Sequence, residues 1–142
     1  MRLLILGENC LVKLKFFDKS IFSTFSWISS IYARQLAVVT PKKHTVKVIE
    51  KYEDIDLNEE CDAVHIHFKT AIALKAYEVA DEFRKLDKTV ILSGPHPSAL
   101  PKEAKCHADS VLVGSAEYLW PVALKDLEKG KLKPYYKSKI HN

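Results

Sequence analysis

Glycine is scarce: four residues in 142, alongside three cysteines, two tryptophans and one methionine. A dinucleotide fold would place G-x-G-x-x-G after its first strand, so that backbone can approach a pyrophosphate. Here that position reads Gly7-Glu8-Asn9-Cys10-Leu11-Val12. A Ser/Thr/Gly-rich phosphate loop of the flavodoxin kind is missing too. Cys10, Cys61 and Cys106 are odd in number and form no C-x-x-C pair, so neither a disulfide framework nor a zinc knuckle is indicated. Small buried side chains in a reducing cytoplasm are the expectation for them. Long apolar runs are absent as well. Arg2–Leu6 is too short for a signal peptide, and the Ser20–Thr40 stretch carries Arg34, Gln35 and several hydroxyl residues, so neither a leader nor a membrane anchor is expected. The net charge of +4 comes from lysines spread along the whole chain rather than gathered into the stripe a nucleic-acid reader needs.

What the chain does have is 47% hydrophobic and 28% charged residues, a globular balance in a length suited to one domain. Five short apolar runs stand out: Arg2–Leu6, Val46–Ile49, Ala63–Phe68, Thr89–Leu92 and Ser110–Val113. They are continuous rather than alternating, as strands buried on both faces are. Helical spacing separates them, in Ile21, Phe25, Ile28, Tyr32, Leu36 and Val39, and again in Ile72, Ala76, Val79, Phe83 and Leu86. Thr70 is placed to cap the second of these helices. Pro101 and Glu103 suit the first turn of a short helix, and a last helix spans Ala116 to Lys129, ending at Gly130. Lys51–Asp62 is an acidic loop with at most one helical turn. The pattern predicts an α/β fold: a doubly wound, five-stranded parallel sheet of flavodoxin-like (Rossmann-like) order 2-1-3-4-5 in three αβα layers. Residues 1–130 form the domain, and 131–142 are expected to be a tail or linker.

In such sheets ligands bind beyond the carboxyl ends of the strands. A phospho-receiver would carry Asp at the third of these ends, and here His67-Phe68-Lys69-Thr70 stands instead. The fourth reads Ser93-Gly94-Pro95-His96-Pro97-Ser98 and the fifth Gly114-Ser115-Ala116-Glu117. One glycine and three prolines within the eight residues Gly94–Pro101 fix an unusual backbone at the fourth end. Thr70, Ser93, Ser98 and Ser115 add small hydroxyls. A row of small residues over three strand ends is a slot for a large, largely neutral ligand, not a catalytic cluster.

The stretch "VILSGPHPSALPKEAKCHADSVLVGSAEYLWPVALKDLEKGKLKPYY" resembles the C-terminal half of the cobalamin-binding domain of radical S-adenosylmethionine enzymes. That family reads G-G-P-H, P-E-E-A, h-A-D and G-E-G-E in turn, then a W-P helix and a D-L-E-x-G-x-L-K-x-x-Y tail. The match falls on Gly94, Pro95, His96, Pro97, Pro101, Glu103, Ala104, Ala108, Asp109, Gly114, Glu117, Trp120, Pro121, Asp126 and Gly130. A looser likeness covers the N-terminal half, so that Arg2 to Tyr136 is spanned. The resemblance implies a cobalamin-binding domain that holds the corrin, as a methyl carrier, at the carboxyl edge of the sheet. Its tail would lie against Gly94 and Gly114. The implied cofactor-binding residues are Glu8, His67, Lys69, Thr70, Ser93, Gly94, Pro95, His96, Pro97, Gly114, Ser115, Ala116 and Glu117. No catalytic residue and no protein-held metal is expected on this chain.

The departures are informative. Ser93 replaces the first glycine of the pair, Ser115-Ala116 replace Glu-Gly, and His65, His67 and Lys69 stand where small residues are usual. D-x-H-x-x-G is absent after the first strand, so no His ligand to cobalt comes from that loop. The C-x-x-x-C-x-x-C triad of the iron–sulfur cluster is absent too. Cluster and S-adenosylmethionine would therefore sit on a catalytic domain in cis or in trans. The chain is then not catalytic alone. The alternative is a degenerate fold that has lost the cofactor and serves as an interaction or substrate-docking module. His65 and His67, two apart on a strand, share a face and are expected to pack under a helix. His96 either touches the corrin or braces its loop, Glu117 suits the first turn of its helix, and His44 and His107 are expected on the surface. Trp27 and Trp120 are expected in the core or at an interface.

Overall fold

The computed structural model describes residues 1–7, 31–50 and 52–139. Glu8, Cys10, Ile21, Phe25, Trp27 and Ile28 lie outside the described residues. Six strands form one parallel sheet: β1 (Arg2–Leu6), β2 (Thr45–Ile49), β3 (Ala63–His67), β4 (Thr89–Ser93), β5 (Ser110–Val113) and β6 (Tyr135–Lys137). Their order is β2-β1-β3-β4-β5-β6. Every pairing is parallel, with Ile5 beside His65, His65 beside Ile91, and Ile91 beside Ser110. The helices are α1 (helical at 31–39), α2 (Ala73–Lys85), α3 (Pro95–Ala99), α4 (Pro101–Lys105) and α5 (Ala116–Glu128). A single 3-10 turn, Tyr52–Asp54, occupies the acidic loop.

The five expected strands and the order 2-1-3-4-5 are all present. The sixth strand corrects the expectation of a tail. Residues 135–137 run beside β5, Tyr136 is buried, and its hydroxyl donates to Asp126 Oδ2 at 2.7 Å. A three-residue strand has no periodicity to betray it, and two adjacent tyrosines carry no alternating signal.

The sheet has two covered faces. Leu4, Leu6, Val64, Ile66, Val90, Leu92 and Val111 pack with α2 and with Ala104 of α4. Leu3, Ile5, Ala63, Ile91 and Leu112 pack with α1 and α5 through Ala33, Leu36, Leu119, Trp120, Ala123 and Leu124. Each fully buried Leu, Ile or Phe here is worth about 2 kcal/mol of transfer free energy. The amino end of the sheet is tied by two aspartates that stand just before strands. Asp62 Oδ2 accepts the Arg2 N–H at 2.7 Å, and Asp109 Oδ2 accepts the Val90 N–H at 2.7 Å. Each carboxylate satisfies a backbone donor on the neighbouring strand that the parallel ladder leaves open. Asp109→Asn, which keeps one acceptor but gives up the charge-assisted bond, is expected to lower stability by about 1 kcal/mol. Urea denaturation checks it.

Three local expectations change. Thr70 makes no side-chain cap. It opens a 3-10 turn, Thr70–Ile72, ahead of α2, and its hydroxyl bonds elsewhere. Cys106 is exposed and Cys61 half-buried, because Cys106 follows the last turn of a five-residue helix that covers little area. His44 is buried rather than superficial, with Nε2 at 2.7 Å from Glu128 Oε1.

Candidate functional site

The strands run parallel, so β1, β3, β4 and β5 deliver their carboxyl ends to one edge of the sheet. The expected binding residues collect there, apart from Glu8, which is not described. They divide into a rim and a floor. Thr70, Pro95, Gly114, Ser115 and Glu117 are exposed, with Lys69 half-buried. His67, Ser93, Gly94, His96, Pro97 and Ala116 are buried.

The floor is held by two polar networks. On the α1/α5 face, Ser93 Oγ lies 2.6 Å from His65 Nε2 and 2.9 Å from His67 Nδ1. One hydroxyl therefore serves both imidazoles, by accepting from one N–H and donating to the other ring. His67 stacks on Tyr32 with centroids 5.0 Å apart, and His65 lies 4.4 Å from the Trp120 ring. Trp120 is fully buried and donates its indole N–H to Thr40 Oγ1 at 2.8 Å. Burial holds the His67 imidazole down at about 4, against a small upward pull from Glu117. Burial, reinforced by His67, drives His65 well below the usual imidazole range. Both rings are neutral bases at physiological pH. Three of the departures from the resembled pattern, Ser93, His65 and His67, are thus one interlocked set in which Ser93 partners both histidines.

On the α2/α4 face, His96 is braced on both nitrogens. Nε2 lies 2.8 Å from Glu103 Oε1 and Nδ1 lies 3.1 Å from Thr70 Oγ1. Glu103 Oε1 also accepts the Tyr77 hydroxyl at 2.9 Å. These two hydrogen bonds, the His96 one first, hold the Glu103 carboxyl below its ordinary value. Tyr77 is pushed up, by burial and then by Glu103. Its ring stacks on His107, which in turn bonds Asp81 at 2.9 Å. Of the two roles expected for His96, bracing is the one its ring nitrogens fulfil. Glu103 and Tyr77 were not legible as site residues. Glu103's place in a first turn and in the resembled P-E-E-A motif was readable, but nothing in the spacing links it to a histidine seven residues earlier.

The glycines answer what the slot contains. Gly94 has φ +111°, and a Cβ there would stand 2.4 Å from the Phe68 carbonyl oxygen and 2.8 Å from its nitrogen. Gly114 has φ +107°, and its Cβ would stand 1.9 Å from Ser138 Oγ, just beyond β6. Both bare α-carbons admit the chain's own atoms, so the deep part of the expected slot, against these glycines, is filled from within. Ser98 Oγ is spent as well, accepting the Gly114 N–H at 3.0 Å. On the rim, Thr70, Ser115 and Glu117 are exposed. Two buried polar atoms of the α1/α5 face, His65 Nδ1 and Ser110 Oγ, have no hydrogen-bond partner among the described residues. The exposed hydroxyls of Thr70 and Ser115 suit a neutral ligand lying over this edge, whereas the two glycine α-carbons face the chain's own atoms.

The chain is similar to bacteriochlorophyllide methyltransferases. It is 42% identical over 106 residues to the bacteriochlorophyllide d C-8(2)-methyltransferase of Chlorobaculum tepidum, a match covering 73% of this chain and 24% of that protein. It is 36% identical over 77 residues to the bacteriochlorophyllide d C-12(1)-methyltransferase of the same organism, covering 54% of this chain and 17% of that one. The chain thus spans about a quarter or less of the curated relatives it matches. No protein-family model and no solved structure matches it. Among the described residues no helix is long and apolar enough to cross a membrane, and no group of three or more His, Cys, Asp or Glu is placed to hold a metal ion.

Proposed function

We propose that this chain is the cobalamin-binding portion of a radical S-adenosylmethionine methyltransferase that modifies a tetrapyrrole, with the corrin lying over the rim formed by Lys69, Thr70, Ser115 and Glu117. The observation that carries the reading is the 42% identity to a bacteriochlorophyllide methyltransferase, confined to 24% of that protein, on a sheet whose carboxyl edge bears the Gly-Pro-His-Pro loop. A match to so small a share suits a cofactor-holding part rather than a whole enzyme. The chain has no cysteine triad for a cluster. The cluster and S-adenosylmethionine then belong to a catalytic domain in cis or in trans. When bound, cobalamin supplies a cobalt centre able to carry a methyl group; this chain's residues supply position. The reading places the chain in the cytoplasm, where the cluster partner would be made.

A second reading has its own support. The deep slot is filled by Phe68 and Ser138, and the β3 end is crowded by His65 and His67. A fold that has given up the cofactor and kept the docking surface would look like this. One experiment separates the two. The purified chain is titrated with hydroxocobalamin and cob(II)alamin, then desalted and its absorbance read. Retained, shifted corrin that is lost in Ser115→Trp, with circular dichroism unchanged, supports the carrier. Ser115 is exposed with φ −73°, so tryptophan is tolerated there and crowds only the rim. No retention by the folded parent chain, at tens of micromolar, overturns the carrier in favour of the docking module.

A further inference from the structure

Thr70 and Glu103, both exposed, flank the buried His96 ring on its two nitrogens. The order is hydroxyl, imidazole, carboxylate, with contacts of 3.1 and 2.8 Å. We propose that His96 and Glu103 hold Thr70 as an obligate hydrogen-bond acceptor, and that it selects a carboxamide N–H on the rim of the bound corrin. The inference rests on the corrin reading above and deepens it.

The polarity of the line follows from its carboxylate end. Glu103 Oε1 is an ionised acceptor that takes hydrogens from Tyr77 and from His96 Nε2. A neutral imidazole with its hydrogen on Nε2 has only a lone pair at Nδ1. The partner of Nδ1 is Thr70 Oγ1, so with the ring in that form the hydroxyl donates its single hydrogen to Nδ1. Two lone pairs are left, on an exposed residue at the carboxyl end of β3. Hydrogen bonds at both ring nitrogens oppose turning of the ring, and the rings of Phe68 and Tyr77 pack on it with centroids 6.0 and 5.9 Å away. An oxygen whose hydrogen is committed can only accept. It favours a neutral donor such as a primary carboxamide, of which the corrin rim carries several. It gives no hydrogen to a carboxylate, an ester or a phosphate. Thr70 is thus a specificity-determining residue, and His96 and Glu103 are positioning residues behind it.

The test uses the whole chain with hydroxocobalamin and its isomeric monomethyl esters, in each of which one rim carboxamide becomes a neutral group without N–H. The parent chain is expected to hold one isomer roughly three- to tenfold more weakly than hydroxocobalamin, the worth of one neutral hydrogen bond. Thr70→Val is expected to weaken hydroxocobalamin by the same factor and to stop distinguishing that isomer. Thr70→Ser is expected to restore both. In the ligand-free protein, nitrogen-15 imidazole spectra at pH 7.5 are expected to show His96 as the Nε2–H tautomer, with the Nδ1 signal moving in Thr70→Val. Unchanged affinity in Thr70→Val, discrimination that persists there, or a His96 hydrogen on Nδ1 overturns this inference alone. A folded parent chain that retains no corrin overturns the corrin reading, and this inference with it.

Discussion

Gly94→Ala is expected to destabilise the domain by about 4 kcal/mol or more, at the extreme end of what one methyl group does. Two independent penalties meet at this residue. Its backbone, φ +111° and ψ −177°, lies in a region open essentially to glycine alone, worth of order 1–3 kcal/mol to any other residue. The added Cβ would also stand 2.4 Å from the Phe68 carbonyl oxygen, a backbone atom at the end of β3 that cannot swing aside. Phe68 cannot retreat without cutting its own N–H bond to the Ser93 carbonyl at 3.1 Å and unseating a ring that is fully buried. The other glycines calibrate the claim. Gly114 shares the conformation, φ +107°, but its would-be Cβ meets the Ser138 side chain, which can rotate, so Gly114→Ala should cost less. Gly130 has φ +66° and nothing within 4 Å, so Gly130→Ala should cost only about 1 kcal/mol. Urea unfolding of the three variants at constant slope should rank them 94, 114, 130. A domain of this size has roughly 5–15 kcal/mol in hand, so failure of Gly94→Ala to accumulate as folded protein is the same result at its limit. A loss under 1 kcal/mol would mean that the β3 and β4 ends are not packed this closely.

The same residues show how far the sequence could be read. Strand positions were legible because continuous Val, Ile and Leu runs have one good use in a chain of this length. All five fall on β1 to β5 within a residue at either end. The order followed from the alternation of strands with helical spacing. Gly94 and Gly114 were legible as places needing bare backbone, but not as to what lies against it. Spacing says that a side chain is unwelcome; it does not say whether ligand or chain fills the space. At Gly94 that depends on Phe68, at the end of the neighbouring strand, and at Gly114 on Ser138, beyond a strand too short to show a period. His65 and His67 were readable as sharing a face under a helix, which they do. Their joint partner Ser93 is 26 and 28 residues away, and becomes visible only once β3 and β4 are in register. Long-range polar pairing of this kind leaves no local trace, and the Thr70–His96–Glu103 line escaped for the same reason.

Acid should loosen this domain well before its carboxylates are titrated. His67 is held at about 4 in the fold against 6.5 when free, by burial that outweighs the pull of Glu117. His65 is held well below 6.5 by complete burial and by its neighbour His67. A base with a depressed folded pKa binds fewer protons folded than unfolded. Its contribution is therefore fully present above pH 6.5 and is lost as pH falls toward the folded value. For His67 the loss between pH 7.5 and 4.5 is about 2–3 kcal/mol, and His65 adds to it with the same sign. Glu103 and Glu128, whose carboxyls are held low by their hydrogen bonds, enter only below about pH 4.5, so the window above that belongs to the imidazoles. Urea unfolding from pH 7.5 to 4.5 should show the midpoint falling steeply below pH 6.5. In His67→Asn, whose amide can replace Nδ1 at Ser93 Oγ without titrating, the fall should be shallower by the His67 share. Direct titration of the His67 ring by nuclear magnetic resonance should give a midpoint near 4. A midpoint near 6.5, or an unfolding curve flat across the window, would mean that the rings are solvated and that Ser93 does not clamp them. The slot over β3 would then be open, and the crowding that favours a cofactor-free fold would lose its basis.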